Sequence, residues 1–265
     1  MEAINKFYLN NEKIEDVNEF NEDSEKGSII YEVLRVINGK AVFLKDHIER
    51  MKRSFALINM EFPFNTEDVE KKVNEVIKKN DNVLGNIKIT YNTASKNLKI
   101  YYIKHSYPSN ELYTEGVKTI LYYVERENPN AKIVNDNFRA KVTEKIKKSN
   151  AFEAILVDRN GLITEGSKSN IFAIKDGKLI TAKAEAVLKG ITRDKIIDIA
   201  KEIGIEFEEV YIKSEDIDKL DAMFISGTSP KILPIAFVNN IKLDVNNITL
   251  RKLMKAYNEL LEGKR

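Results

Sequence analysis

Four short segments in the second half of the chain carry the residue types of a covalent, phosphate-anchored chemistry. An amine, Lys132, comes first. It is followed by Thr164-Glu165-Gly166-Ser167-Lys168-Ser169-Asn170, by Leu188-Lys189-Gly190-Ile191-Thr192-Arg193-Asp194, and by Ser226-Gly227-Thr228-Ser229-Pro230. An amine forms a Schiff base with an aldehyde. A carboxylate pairs with a protonated pyridine nitrogen, and Gly-marked turns rich in hydroxyls bind phosphate. Together such groups can hold pyridoxal 5'-phosphate.

Taken singly, each piece is ordinary. Gly190-Ile191-Thr192 stands directly before a helical pattern, where the first backbone N–H groups point outward as an anion site. The same three residues also read as a loop glycine with a Thr N-cap. Gly227-Thr228-Ser229 ends a strand and offers two hydroxyls. Glu165 sits where a strand gives way to Gly166, a position open equally to a ring-nitrogen partner and to a surface carboxylate. Arg50 lies on a helical stripe, facing either solvent or a phosphate that its fixed fork of donors would suit. Lys132 is one lysine among many. His47 and His105 are the only histidines and read as packed or surface residues. With no cysteine, the chain offers neither a zinc set nor thiol chemistry.

The elements that must position these groups follow from pattern. Tyr31 to Val36 alternates as a strand, Asn38-Gly39 marks a type I′ hairpin, and Lys40 to Leu44 returns. Ile48, Met51, Phe55 and Ile58 share one helix stripe. Val69, Val73, Val76 and Ile77 share another, behind the capping residues Asn65 and Thr66. Ile87 to Tyr91 and Leu98 to Ile103 form a hairpin, and Val117 to Val124 is a strand. Glu127-Asn128-Pro129-Asn130 breaks the pattern as a linker. Beyond it come a helix with Phe138, Val142 and Ile146, a meander over Phe152 to Thr181, a helix from Thr192 closed by Gly204, a buried strand Ala222 to Ser226, and a last helix from about Thr249. This is an α+β layout. It divides into an N-terminal domain over 1–124, a linker over 125–130 and a cofactor-binding domain over 131–265.

Bulk properties exclude other classes. The net charge is +2 with mixed signs, and Lys71-Lys72 and Lys78-Lys79 lie on helical faces beside Glu, which argues against a nucleic-acid partner. No apolar run approaches the roughly 20 residues of a membrane span, and Met1 to Lys6 lacks a signal-peptide layout. The expectation is a soluble, cytoplasmic protein.

The ordered set resembles the fold-type IV pyridoxal-phosphate enzymes, which include branched-chain and D-amino-acid aminotransferases and aminodeoxychorismate lyase. Thr164 to Phe172 is similar to the family's Glu-Gly-Ser-x-x-Asn-Phe segment. Leu188 to Arg193 is similar to its Gly-Ile-Thr-Arg phosphate loop, and Asp46 to Arg50 to the segment whose Arg binds the phosphate. A gapless count back from Phe152-Glu153-Ala154-Ile155-Leu156 puts Lys132 at the Schiff-base lysine, with Asn135 three residues on.

The resemblance implies a two-domain subunit with an N-terminal α/β sandwich-like domain and a C-terminal pseudo-barrel domain. The cofactor would lie in the cleft between them, in a homodimer. It implies Lys132 and Glu165 as catalytic residues and Arg50, Ile191, Thr192, Thr228 and Ser229 on the phosphate. Tyr31 and Tyr91 would stand on the substrate side, and no metal is needed. The activity implied is transfer of an amino group between an amino acid, branched-chain among the candidates, and a 2-oxo acid. Three alternatives stay open: an aminodeoxychorismate-lyase-like elimination, a D-amino-acid transaminase, which Tyr31-Glu32 favours, and a cofactor-binding protein without turnover. Three departures from the family pattern are visible. Lys26-Gly27-Ser28 replaces Gly-Asp-Gly, Tyr91 stands where D-amino-acid enzymes place an Arg, and Ile133 follows the lysine in place of a small residue.

Overall fold

A computed structural model of the chain describes residues 2–21, 25–125, 130, 132 and 136–265. It divides into two compact units. The first comprises Met1–Ser106 with the Lys132 segment, and the second Tyr107–Asn130 with Asn135–Arg265.

The first unit is a sheet of six strands: β1 (Ala3–Asn10), β2 (Lys13–Asp16), β3 (Ile29–Ile37), β4 (Lys40–Ala41), β5 (Gly85–Asn92) and β6 (Leu98–Ile103), in the order β2-β1-β6-β5-β3-β4. Asn38 and Gly39 take φ values of 50° and 72°, as the expected type I′ turn requires. The returning strand is shorter than expected. It stops at Ala41 because Phe43, at φ 55°, turns the chain into helix α1 (Leu44–Ala56). A bulky residue in this region is uncommon. Helix α2 (Thr66–Lys79) starts at Asn65, whose side chain accepts the Glu67 N–H at 2.8 Å. Both helices lay their apolar stripes on one sheet face. Ile48, Met51, Phe55, Val69, Val73, Val76 and Ile77 meet Ile30, Leu34, Val36, Ile87, Ile89 and Ile100 there in one core.

The second unit holds α3 (Asn110–Glu115), β7 (Val117–Tyr123), α4 (Asp136–Lys148), β8 (Glu153–Val157), β9 (Leu162–Gly166), β10 (Asn170–Lys175) and β11 (Lys178–Thr181). These are followed by α5 (Ile191–Glu202), β12 (Phe207–Glu209), β13 (Ile212–Lys213), β14 (Ala222–Gly227), β15 (Lys231–Val238), β16 (Ile241–Lys242) and α6 (Ile248–Leu261). The strand path runs β12-β11-β10-β14-β15-β7-β8-β9-β13. One further pairing, Asn170 opposite Glu165, joins β10 back to β9 and closes six strands into a barrel. The fold class is the expected one.

Two expectations about the division of the chain meet a different arrangement. Val117–Tyr123, read as the end of the first domain, pairs in parallel with β8 and β15 and so belongs to the second sheet. Lys132, read as the start of the second domain, bonds through its backbone to residues of the first unit. A strand is assigned by its hydrogen-bonded neighbours, which local pattern does not name. The expected linker residues 127–129, and Ile133 and Asn135, lie outside the described residues.

Candidate active site

In the first unit the geometry centres on Lys132. Its carbonyl accepts the Tyr31 N–H at 3.2 Å, and its own N–H donates to Ser54 Oγ at 3.3 Å. Ser54 in turn donates to the Arg50 carbonyl at 3.2 Å. The lysine is therefore tied to β3 on one side and α1 on the other, and its Nζ stands 4.8 Å from the centroid of the Tyr31 ring.

Beneath the Lys132 tie lies a buried charged cluster. Glu32 is fully buried on the helix side of β3, in step with Ile30 and Leu34. Arg50 grips its carboxylate with two donors, Nε to Oε1 at 2.8 Å and an Nη to Oε2 at 2.6 Å. His47 Nδ1 lies 2.8 Å from the same Oε2. Burial pushes the Glu32 carboxyl up. The charge and hydrogen bonds of Arg50, helped by His47, more than offset this and hold its pKa at about 2. Burial is also the largest effect on His47 and pulls it below its ordinary value against the Glu32 bond, with the Arg50 and Lys132 charges adding to the fall. An ionised Glu32 can only accept, so neutral His47 carries its proton on Nδ1.

Arg50 is thus an inward residue, as its phosphate assignment needs, but its fork engages a carboxylate of its own unit. Glu32 and Ser54 went unread as site residues. The signal for Glu32 was present: a charge at an inward position of an alternating strand.

Tyr91 corrects a substrate-side expectation. Its ring is buried in the first core, 5.0 Å from Phe55 and 5.6 Å from Phe64. On β5 it shares the parity of Ile87 and Ile89, which face the helices.

In the second unit the geometry centres on Leu188. Glu165, 3% exposed, accepts the Leu188 N–H on Oε2 at 3.1 Å. Asn170 Nδ2 donates to the Leu188 carbonyl at 2.8 Å. Glu165 is therefore no surface carboxylate. Leu188 leads into Gly190, and a Cβ added there would meet Asn170 Oδ1 at 2.1 Å, so any other residue would force that side chain or the turn to shift. Gly190 is the N-cap of α5 and brings no side-chain cap to it. Thr192, read as a possible N-cap, lies inside the first turn and is buried beside Ile191. Its first amides and hydroxyl form the kind of helix start that binds anions.

Ser226, beside Asn170 in register on β14, is fully buried, and its Oγ has no partner among the described residues. Thr228 and Ser229 fill the hairpin loop between β14 and β15, in which Gly227 pairs with Lys231. A helix start without a side-chain cap and a nearby unsatisfied hydroxyl suit a phosphate. Glu153 braces the intervening turn, its carboxylate accepting from Ser167 Oγ and from Ser169 Oγ at 3.0 Å.

Residues 29–238 match the family model described as amino-transferase class IV. The chain belongs to the class IV aminotransferases. Among curated proteins, this class IV aminotransferase is 30% identical over 233 residues to the D-alanine aminotransferase of Listeria monocytogenes serotype 1/2a, covering 82% of this chain and 80% of that one. It is 27% identical over 248 residues to the branched-chain-amino-acid aminotransferase of Pseudomonas aeruginosa, covering 85% and 80%. Among solved structures, a T.th. branched-chain amino acid aminotransferase complexed with N-(5'-phosphopyridoxyl)-L-glutamate superposes with a TM-score of 0.89 at 22% identity. The match covers 99% of this chain and 96% of that chain. The branched-chain aminotransferase of Thermoproteus uzoniensis with norvaline gives 0.87 at 24%, covering 98% and 96%. The class IV aminotransferase thus has the fold-type IV architecture. No helix among its described residues is long and apolar enough to cross a membrane.

Proposed function

We propose that this class IV aminotransferase moves an amino group between an amino acid and a 2-oxo acid with pyridoxal 5'-phosphate held by Lys132. The observation that carries the reading is the double tie of Lys132 to Tyr31 and Ser54, which fixes one lysine of many in place beside an aromatic ring. The cofactor, when bound, supplies an electron-withdrawing ring conjugated to the carbon that takes the amine.

The chain's residues do the rest. Lys132 would anchor the cofactor through Nζ, and the same amine would take and return the proton at the substrate α-carbon. Glu165, oriented by the Leu188 N–H, offers the negative charge that keeps the ring nitrogen protonated. The start of α5 at Ile191 and Thr192, the Thr228–Ser229 hairpin and Arg50 hold the phosphate. Tyr31 lines the substrate side.

A branched-chain amino acid is one reading of the donor, supported by the name of the Pseudomonas relative. A D-amino acid is the second reading, supported by Tyr31-Glu32 and by the name of the Listeria relative. The family resemblance supports a homodimer, and a chain without cysteine suits the cytoplasm.

Borohydride reduction followed by peptide mapping tests the anchor. The expected tag is on Lys132, and a tag on Lys141 or Lys183 would remove the assignment. L- and D-amino acids, screened for loss of the cofactor's bound colour, test the donor.

A further inference from the structure

The sheet face of the first unit that points away from its helices carries a second amine beside the Tyr31 ring. Lys88, on β5, is only 8% exposed, and its Nζ lies 5.6 Å from the Tyr31 centroid, the ring on which Lys132 also stands. Tyr101, opposite Lys88 in register on β6, is buried as well. These two side chains together hold one carboxylate. Glu2 pairs its Oε1 with Lys88 Nζ, and its Oε2 accepts the Tyr101 hydroxyl at 2.8 Å.

The two partners differ in kind. Lys88 and Tyr101 are buried on paired central strands, whereas Glu2 is exposed and precedes β1. A buried ammonium costs free energy unless a counter-charge is present. Glu2 satisfies that need from the solvent side, so its carboxylate is the partner that a second carboxylate can replace without leaving the ammonium unpaired. The built part of the site is thus the ammonium and hydroxyl, and the carboxylate is its exchangeable part.

We infer that Lys88 Nζ and Tyr101 OH form a subsite for a substrate carboxylate, which displaces the Glu2 carboxylate from them. The inference rests on the aminotransferase reading above, since both substrates of that reaction are carboxylates. Its chemistry is shared by the α-carboxylate and by the side-chain carboxylate of an acidic substrate.

The test separates these sources, and separates the subsite from the reaction. Titrate the purified, cofactor-bound protein calorimetrically with glutarate and with propionate, neither of which carries an amine or a keto group. Glu2→Ala and Glu2→Gln remove a competing ion pair and should tighten binding about threefold to fivefold. Lys88→Met should weaken it at least roughly tenfold and abolish the gain from Glu2→Ala. A gain for both acids assigns the subsite to the α-carboxylate, and a gain for glutarate alone assigns it to the side chain. In turnover, Glu2→Ala should lower KM for the matching 2-oxo acid without changing kcat. Glu2 variants that lose thermal stability while binding both acids like the parent would make the contact a structural tie and overturn the proposal. A protein that binds carboxylates in the expected pattern yet transfers no amino group would overturn the reaction and leave the subsite standing.

Discussion

Glu165 and Asn170 face each other in register across β9 and β10, and both reach Leu188, one from each side of its backbone. Glu165 takes its N–H at 3.1 Å, and Asn170 gives to its carbonyl at 2.8 Å. The pairing that closes the barrel therefore also fixes the turn that opens α5. The carboxylate assigned to the ring nitrogen and the helix start assigned to the phosphate are held by a single link.

Glu165→Gln tests the charge without breaking that link. A Gln carbonyl still accepts the Leu188 N–H, so the turn and cofactor retention should survive. What is lost is the negative charge. A loss of about 2.7 kcal/mol in transition-state stabilisation is roughly a hundredfold in rate. Single-turnover conversion of the bound cofactor with an active donor should slow by at least that factor. A variant within a few-fold of the parent would show that Glu165 does not serve the ring nitrogen.

Gly190→Ala tests the turn. The new Cβ would stand 2.1 Å from Asn170 Oδ1, so Asn170 or the turn must move. Cofactor affinity should fall at least roughly tenfold by equilibrium titration, about 1.4 kcal/mol. Adding Asn170→Ala relieves the clash, so the double variant should bind better than the sum of the two losses. The coupling should be on the order of 1 kcal/mol. Strict additivity would show that Gly190 does not feel Asn170.

Arg50→Ala would remove more than the proposed phosphate contact. It strands Glu32, fully buried, without the guanidinium that keeps it ionised. Breaking such a pair from one side costs about 3–5 kcal/mol. Urea unfolding should show a loss of that size in Arg50→Ala, and a smaller one in Arg50→Ala with Glu32→Gln, which leaves no buried charge. If the second change restores nothing, the pair does not carry the stability.

Two buried groups make the first unit acid-sensitive. His47 is held below its ordinary pKa, so as pH falls below about 6.5 the unfolded chain gains a proton that the folded one resists. Glu32 is held at about 2, so its contribution is present above the usual carboxylate range and fades as pH falls from about 4.5 towards 2. Both shifts make stability rise with pH. Tm measured from pH 8 to pH 5 should fall with acid, and His47→Gln should flatten the slope in that interval. A slope unchanged by the substitution would assign the effect to other groups.

Much of this protein was legible in its residues because near neighbours decide it. The Asn38-Gly39 turn depends on two residues that tolerate positive φ. The Asn65 cap depends on an oxygen two residues from its donor, and the α1 and α2 stripes on a 3.6-residue period. The order of the motifs around Lys132, Glu165, Gly190 and Thr228 was likewise enough to point to the family. Tertiary structure decided which of these residues meet. The tie of Lys132 to Tyr31 and Ser54, the grip of Arg50 on Glu32, and the joint hold of Glu165 and Asn170 on Leu188 all join residues far apart in the chain. The loss of Tyr91 to the core was decided in the same way. Its inward parity could be counted along β5, but the Phe55 and Phe64 rings that bury it arrive from α1 and from the loop beyond it. A hydrogen bond or a ring contact acts over a few ångströms in space, and only the folded path of the backbone sets that separation.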